Sequence, residues 1–123
     1  MSVPLASLPQ STWPFSLVRR AAGLVFLSGE VPRADDGTIP DGIAAQTDLT
    51  LTLIAETLAG EGLSLADVVS CTAYLTDKAD FAAFNAAYRK HFSDPLPVRT
   101  TVQAQLMLDA AKIEITVVAQ ERT

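Results

Sequence analysis

The sequence has very few of the side chains that usually carry covalent or metal chemistry. Its 123 residues include one cysteine, Cys71, and one histidine, His91. One thiol cannot form an internal disulfide, and one histidine with one cysteine cannot complete the usual zinc sites. Without a Cys–His or Ser–His–Asp set, covalent catalysis is disfavoured as well. We therefore expect an intracellular protein with no structural metal.

Basic residues are also scarce, and long apolar runs are missing. Nine Lys+Arg against 14 Asp+Glu give a net charge of −5, whereas nonspecific nucleic-acid binding depends on clustered cations. No stretch approaches the length of a membrane span, and residues 1–13 lack the basic start and apolar core of a secretory signal. These absences predict a cytoplasmic protein that binds neither nucleic acid nor a membrane.

Apolar residues, in contrast, are abundant in the chain. Hydrophobic residues make up 49% of the chain and charged residues only 19%, and the mean hydropathy is positive, which is apolar for a soluble protein of this size. A length of 123 residues fits one domain, residues 1–123, with its own core. We expect some of this apolar surface to be buried against identical subunits, with sites shared between copies.

The periodicity of apolar residues predicts an α+β chain with the element order β-β-α-β-α-β-β. Short apolar or alternating runs predict strands at residues 16–20, 24–27, 68–75, 99–106 and 112–119. Helical spacing predicts a first helix at 41–59 and a second from 77 or 78 until the segment 94–97 ends it. Ser64 and Asp67 have the spacing of a capped turn. The apolar stripe of the first helix is Ile43, Thr47, Leu51, Ile54 and Leu58.

Two charged residues stand out on the last two predicted strands. Arg99 follows Pro97 on a strand, and a planar guanidinium held there suits bidentate capture of a carboxylate. The alternative is a structural ion pair or an exposed arginine. Glu114 interrupts a β-branched run, so it is either a residue of a solvated face or an enclosed carboxylate that needs a partner. A hairpin between the two strands would make Arg99 and Glu114 neighbours.

Two further residues are candidates for ligand contact. The aromatic stripe of the second helix is Phe81, Phe84, Tyr88 and Phe92, and Asn85 lies inside it. A buried amide there needs partners, so Asn85 either caps a loop or lies beside a ligand. Gly29 follows Ser28 at the end of a strand. A glycine there lets backbone amides approach an anion, and a simple turn is the alternative. Cys71 is interpreted as a core side chain rather than a nucleophile.

Several motifs taken together resemble the RidA (YjgF/YER057c/UK114) family of reactive-intermediate deaminases. They are Leu27-Ser28-Gly29-Glu30-Val31-Pro32, Gln46, Asp80-Phe81 with Asn85 and Tyr88, Pro97-Val98-Arg99-Thr100 and Ile113-Glu114-Ile115. Each motif is weak alone, but their order and spacing along residues 15–119 are more specific. The resemblance implies a chorismate-mutase-like fold, a sheet with two helices on one face, assembled as a homotrimer with clefts between subunits.

The same resemblance implies an activity and the residues that carry it. The expected reaction is hydrolytic deamination of reactive 2-imino or 2-enamino acids to 2-keto acids and ammonia, without a cofactor or a metal. Arg99 would bind the substrate carboxylate, and Glu114 would help to position the attacking water. Gly29 would contact the substrate through its backbone, with Asn85 as a polar support.

Several positions depart from the common family pattern, among them Phe15, Thr101, Glu30, Gln105 and the stretch Met107-Leu108. Phe15 and Thr101, both expected at the substrate, stand where many active members have a tyrosine and a cysteine, and Glu30 replaces a glutamine. A general imine deaminase is the leading hypothesis, and the altered Phe15 and Glu30 would suit the alternative of a pathway-specific deaminase of the aminomuconate type. A non-catalytic trimer that binds carboxylates or acts like a chaperone is the alternative from another class. A nuclease activity is disfavoured by the acidic charge balance.

Overall fold

Five strands form one mixed sheet. The computed structural model describes residues 13–122. The strands are β1 (Val18–Ala21), β2 (Leu24–Leu27), β3 (Val68–Leu75), β4 (Val98–Gln103) and β5 (Ile113–Gln120). Their order across the sheet is β1-β2-β5-β3-β4, with β3 and β4 parallel and the other neighbours antiparallel. Strand β4 therefore lies at one edge, and β3 separates it from β5.

Two helices, α1 (Ile43–Gly60) and α2 (Phe81–Arg89), pack on one face of this sheet and against each other. The predicted stripe of α1 is buried as a whole, and Gln46 and Thr50 are buried with it. Gly62, at φ +77°, follows the helix end and adopts a backbone conformation that glycine favours. No helix within residues 13–122 is both long enough and apolar enough to cross a membrane.

The core lies between the sheet and the helices, and strand alternation defines it. On β5, the side chains of Ile113, Ile115, Val117 and Ala119 are at most 1% exposed. The alternate residues Glu114, Thr116 and Val118 are only partly buried and point to the other side of the sheet. We call this other side the open face, because neither α1 nor α2 covers it.

The predicted element order is confirmed, with shifts at the ends. The capped turn at Ser64 is present: its hydroxyl accepts from the Ala66 amide, and Asp67 accepts from the Ser64 amide. Helix α2 ends at Arg89, and β4 ends at Gln103 rather than at residue 106. The aromatic stripe of α2 is buried except for Phe81, which is 45% exposed.

The predicted hairpin between the last two strands is wrong. Strand β3 pairs with both β4 and β5, and its register places Cys71 beside Arg99 and Tyr74 beside Glu114. Positions 71 and 74 point to opposite faces, because side chains alternate along a strand. Arg99 therefore faces the helices, whereas Glu114 lies on the open face. Alternation predicts which residues share a face, but it does not identify the neighbouring strand.

Candidate active site

Arg99 is held against α2 by aromatic rings and an amide. Its Cζ atom lies 4.7 Å from the ring centre of Tyr88, 4.9 Å from that of Phe84 and 5.8 Å from that of Phe81. Its Nη2 donates a hydrogen bond of 2.7 Å to Asn85 Oδ1. Cation–π contacts contribute about 0.5–2 kcal/mol each. The guanidinium is therefore positioned before any ligand arrives, and Asn85 supports it rather than capping a loop.

The Arg99 guanidinium has no carboxylate partner among residues 13–122. Every ion pair of this part of the chain involves another cation: Arg20, Lys90, His91 or Arg122. A guanidinium has five N–H donors, and Asn85 accepts from one nitrogen only. The interpretation of Arg99 as half of an internal ion pair is therefore wrong for the described chain.

Thr101 lies two residues after Arg99 on β4, and its side chain points to the same side of the sheet as that of Arg99.

Beside Arg99 on the neighbouring strand lies Cys71, which is 1% exposed. Burial raises the pKa of the Cys71 thiol, which keeps it protonated and unreactive. Burial also raises the pKa of Tyr88, whose hydroxyl lies toward this thiol. This hydroxyl has no partner of hydrogen-bonding geometry among the described residues. The prediction that Cys71 is a core side chain agrees with these surroundings.

Glu114 and Gly29 meet on the open face. A methyl group at residue 29 would overlap Glu114 Oε2 and would lie 3.1 Å from its Cδ and 3.2 Å from Thr116 Oγ1. Residue 29 is therefore glycine because a side chain approaches its backbone closely, and a simple turn does not explain it. Burial raises the pKa of the Glu114 carboxyl, and no ion pair of the described residues includes it.

Phe15 is connected to the Glu114 region through the chain. The Ser28 hydroxyl donates a 2.6 Å hydrogen bond to the Ser16 carbonyl, and the Ser28 amide donates to the Leu17 carbonyl at 3.0 Å. This holds the segment that follows Phe15 beside Gly29. The Phe15 ring packs against Trp13 at 5.6 Å and is 42% exposed.

The predicted site residues thus form two groups. The Arg99 region contains Arg99, Asn85 and Thr101, and the Glu114 region contains Glu114, Gly29 and Phe15. In a single copy of the chain Arg99 lies on the helix-covered face of the sheet, whereas Glu114 and Gly29 lie on the open face. Within residues 13–122 no three His, Cys, Asp or Glu side chains form a group that could hold a metal ion.

Two further residues, Glu30 and Gln46, have structural roles that were not predicted from the sequence. Glu30 pairs its backbone with Ile115, and burial raises the pKa of its carboxyl to about 7. Gln46, 2% exposed, donates to the carbonyls of Pro40 and Ala110 and accepts from the Lys112 amide. It thereby fixes the chain just before β5. The signal for Gln46 was a polar residue beside the apolar stripe of α1, whereas Glu30 stood out only as a departure from the common family pattern.

Residues 6–121 match the model of a protein family described as Endoribonuclease L-PSP. The chain belongs to this family. The match confirms the predicted relationship to the YjgF and RidA proteins. Among its relatives is the mitochondrial protein mmf2 of Schizosaccharomyces pombe, 40% identical over 88% of each chain. Another is the chloroplastic Reactive Intermediate Deaminase A of Arabidopsis thaliana, 36% identical over 90% of this chain and 60% of that protein.

Solved structures of the family share the fold. The crystal structure of Escherichia coli TdcF with bound serine superposes with a TM-score of 0.84 at 27% identity, over 98% of each chain. The predicted α+β fold is therefore confirmed, and the homotrimer stays a prediction. Because relatives include mitochondrial and chloroplastic proteins, the cytoplasmic location also stays a prediction.

Proposed function

We propose that the protein hydrolyses 2-imino acids, and the 2-enamino acids from which they form, in clefts between copies of the chain. The balanced reaction is R–C(=NH)–COO⁻ + H₂O → R–C(=O)–COO⁻ + NH₃. The observation that carries the proposal is the pair of regions described above: a pre-positioned guanidinium and a carboxyl of raised pKa, neither of which forms an ion pair within residues 13–122. The names of relatives such as Reactive Intermediate Deaminase A support the same reaction class.

Arg99 would bind the substrate carboxylate. Two parallel N–H donors of the guanidinium match the two oxygens of a carboxylate, and the aromatic rings keep the guanidinium plane in one place. Positioning of this kind reduces the entropic part of the barrier. The bound serine in E. coli TdcF supports a ligand that has an amino-acid-like carboxylate.

Glu114 would manage the protons of the reaction. The water oxygen bonds to the imine carbon, the C=N electron pair moves to nitrogen, and the carbinolamine that results releases ammonia as the carbonyl forms. Glu114 would accept the proton of the attacking water and return it to nitrogen, and a carboxyl of raised pKa suits both steps. Phe15 would supply an apolar wall and Thr101 a hydroxyl near the substrate.

The opposite placement of Arg99 and Glu114 supports a shared cleft. The open face exposes large apolar side chains, with Phe26 and Val102 each 41% exposed and Val98 71% exposed. Covering them with a second copy would bury apolar area. A cyclic trimer joins two different surfaces in each interface, so it can bring Arg99 of one copy to Glu114 of the next and form three clefts.

Two measurements test this proposal. Ammonia release from freshly generated iminopyruvate and from longer 2-imino acids tests the reaction, and no release with any of them overturns it. If 2-keto acids still bind in that case, the non-catalytic carboxylate-binding protein takes its place. Sedimentation at micromolar concentration tests the assembly, and a monomer overturns the shared cleft.

A mixed assembly tests the sharing directly. Arg99→Ala and Glu114→Gln chains, each strongly impaired alone, are co-expressed with different tags. Each cleft takes Arg99 from one copy and Glu114 from the next. In a random mixture each of these side chains is intact in half of the cases, so about a quarter of the clefts contain both. We expect activity to return to about that fraction. No recovery in purified mixed trimers contradicts the shared site.

A further inference from the structure

A groove continues from the Arg99 region along the edge of the sheet. Its volume is about 200 Å³, and it is lined by Leu75, Lys78, Phe81, Thr101, Val102 and Gln103. Phe81 links it to Arg99, since the ring centre lies 5.8 Å from the Arg99 Cζ atom. Thr101 shares the helix-facing side of β4 with Arg99. A molecule bound to the guanidinium therefore lies next to the groove.

The groove combines apolar walls with one cation. Phe81 is 45% exposed, so its ring is available for contact. The exposed Lys78 has no ion-pair partner among residues 13–122. A lysine ammonium on a flexible stem can reach a charge that lies along an apolar surface. This pattern is complementary to a short hydrocarbon chain that ends in an anion.

We propose that this groove binds the substrate side chain and selects 2-imino acids whose side chain has several carbons and ends in a second carboxylate. The inference rests on the proposed function, because Arg99 is assigned to the first carboxylate. The volume of about 200 Å³ exceeds the ~150 Å³ of an apolar cavity that accepts benzene. Lys78 is thus a specificity-determining residue, and it takes no part in the chemical step.

The test compares kcat/KM for three imino acids that differ only in the side chain: iminopyruvate, 2-iminohexanoate and 2-iminoadipate. We expect 2-iminoadipate to be the best of the three for the parent protein. Lys78→Met should lower kcat/KM for 2-iminoadipate roughly fivefold, as expected for about 1 kcal/mol from a partly solvated ion pair. The values for the other two substrates should change less than about twofold.

Lys90→Met is the matched control, because it also removes one exposed lysine but pairs with Asp48 away from the groove. The proposal is overturned if the parent does not distinguish the three substrates, or if Lys78→Met changes all three equally. It is also overturned if Lys90→Met has the same effect as Lys78→Met.

Failure of the proposed function gives a different result. If the parent hydrolyses none of the three imino acids, binding of pyruvate, 2-oxohexanoate and 2-oxoadipate is measured by calorimetry with the same variants. Tighter binding of 2-oxoadipate by the parent, lost in Lys78→Met, supports the groove without the reaction. Equal binding of the three keto acids overturns the proposal that the groove selects a second carboxylate.

Discussion

Around Arg99 the chain surrounds a cation with aromatic rings and an amide, whereas around Glu114 it brings a carboxyl against bare glycine backbone. The first arrangement fixes the position and the direction of the guanidinium. The second places the end of a flexible, partly buried side chain against the backbone of Gly29, with its pKa raised by burial. This difference is consistent with the roles proposed above, in which Arg99 holds the substrate carboxylate and Glu114 transfers the proton.

The largest effect is expected from Arg99→Ala. A charge-assisted hydrogen bond contributes about 1.5–3 kcal/mol, so loss of a bidentate pair should lower kcat/KM by at least about two orders of magnitude. Arg99→Lys should recover little, because the ammonium lacks the planar fork. The measurement is ammonia release, and Arg19→Ala, on the exposed part of β1, is the control. Parent activity in a folded Arg99→Ala trimer would show that the carboxylate binds elsewhere.

Glu114→Gln should affect turnover more than binding. Proton transfer by a positioned side chain contributes about a hundredfold at the low end, so kcat should fall by about that factor. The affinity for a stable 2-keto acid should hardly change, because Arg99 remains. Ammonia release and calorimetry on the same preparation separate the two quantities. If kcat is unchanged, Glu114 has no part in the mechanism.

Glu30→Gln should change stability, since Glu30 is next to Gly29 and burial raises the pKa of its carboxyl to about 7. The folded protein keeps this proton at pH values where the unfolded chain, with a pKa near 4.5, has already lost it. The free energy of unfolding therefore falls as pH rises from about 4.5 to about 7. Above pH 7 the buried, ionised carboxylate of Glu30 continues to destabilise the folded protein by a constant amount. The carboxylates of Glu56 and Glu114 add to the shift, and Arg33 opposes it.

The variant should accordingly be more stable than the parent at pH 8 by about 3 kcal/mol, and the gain should shrink toward pH 4. Urea unfolding at a fixed protein concentration measures the difference at each pH. Asp109→Asn, which removes an exposed carboxylate, serves as the control. The assignment of the pH dependence to Glu30 fails if parent and variant lose stability in parallel over this range.

Gly29→Ala should have the smallest effect, and mainly on activity. The added methyl group would displace the Glu114 carboxylate, which is the end of a flexible side chain and can move without unfolding the protein. A misplaced proton carrier should reduce kcat about tenfold, or about 1.4 kcal/mol of barrier, with little change in the unfolding midpoint. Gly60→Ala is the control, because a Cβ at residue 60 meets nothing within 4 Å. If Gly60→Ala reduces kcat as much as Gly29→Ala does, the contact between Gly29 and Glu114 has no special role in activity.

The sequence by itself determined the local elements of this protein. The stripe on α1, the capped turn at Ser64 and the alternation on β5 all follow from side-chain periodicity and solvation, which depend on near neighbours in the chain. The burial of Cys71 follows in the same way from the strand around it. Arg99 and Glu114 could likewise be identified as the unusual charges of their strands.

Only the tertiary structure decided where those charges lie. The pairing of β3 with both β4 and β5 put Arg99 and Glu114 on opposite faces, and such nonlocal pairing depends on how whole layers pack. The aromatic surroundings of Arg99 and the contact of Glu114 with Gly29 arise from segments far apart in the chain. Because periodicity specifies a face but not the neighbour on that face, no local pattern could predict these contacts.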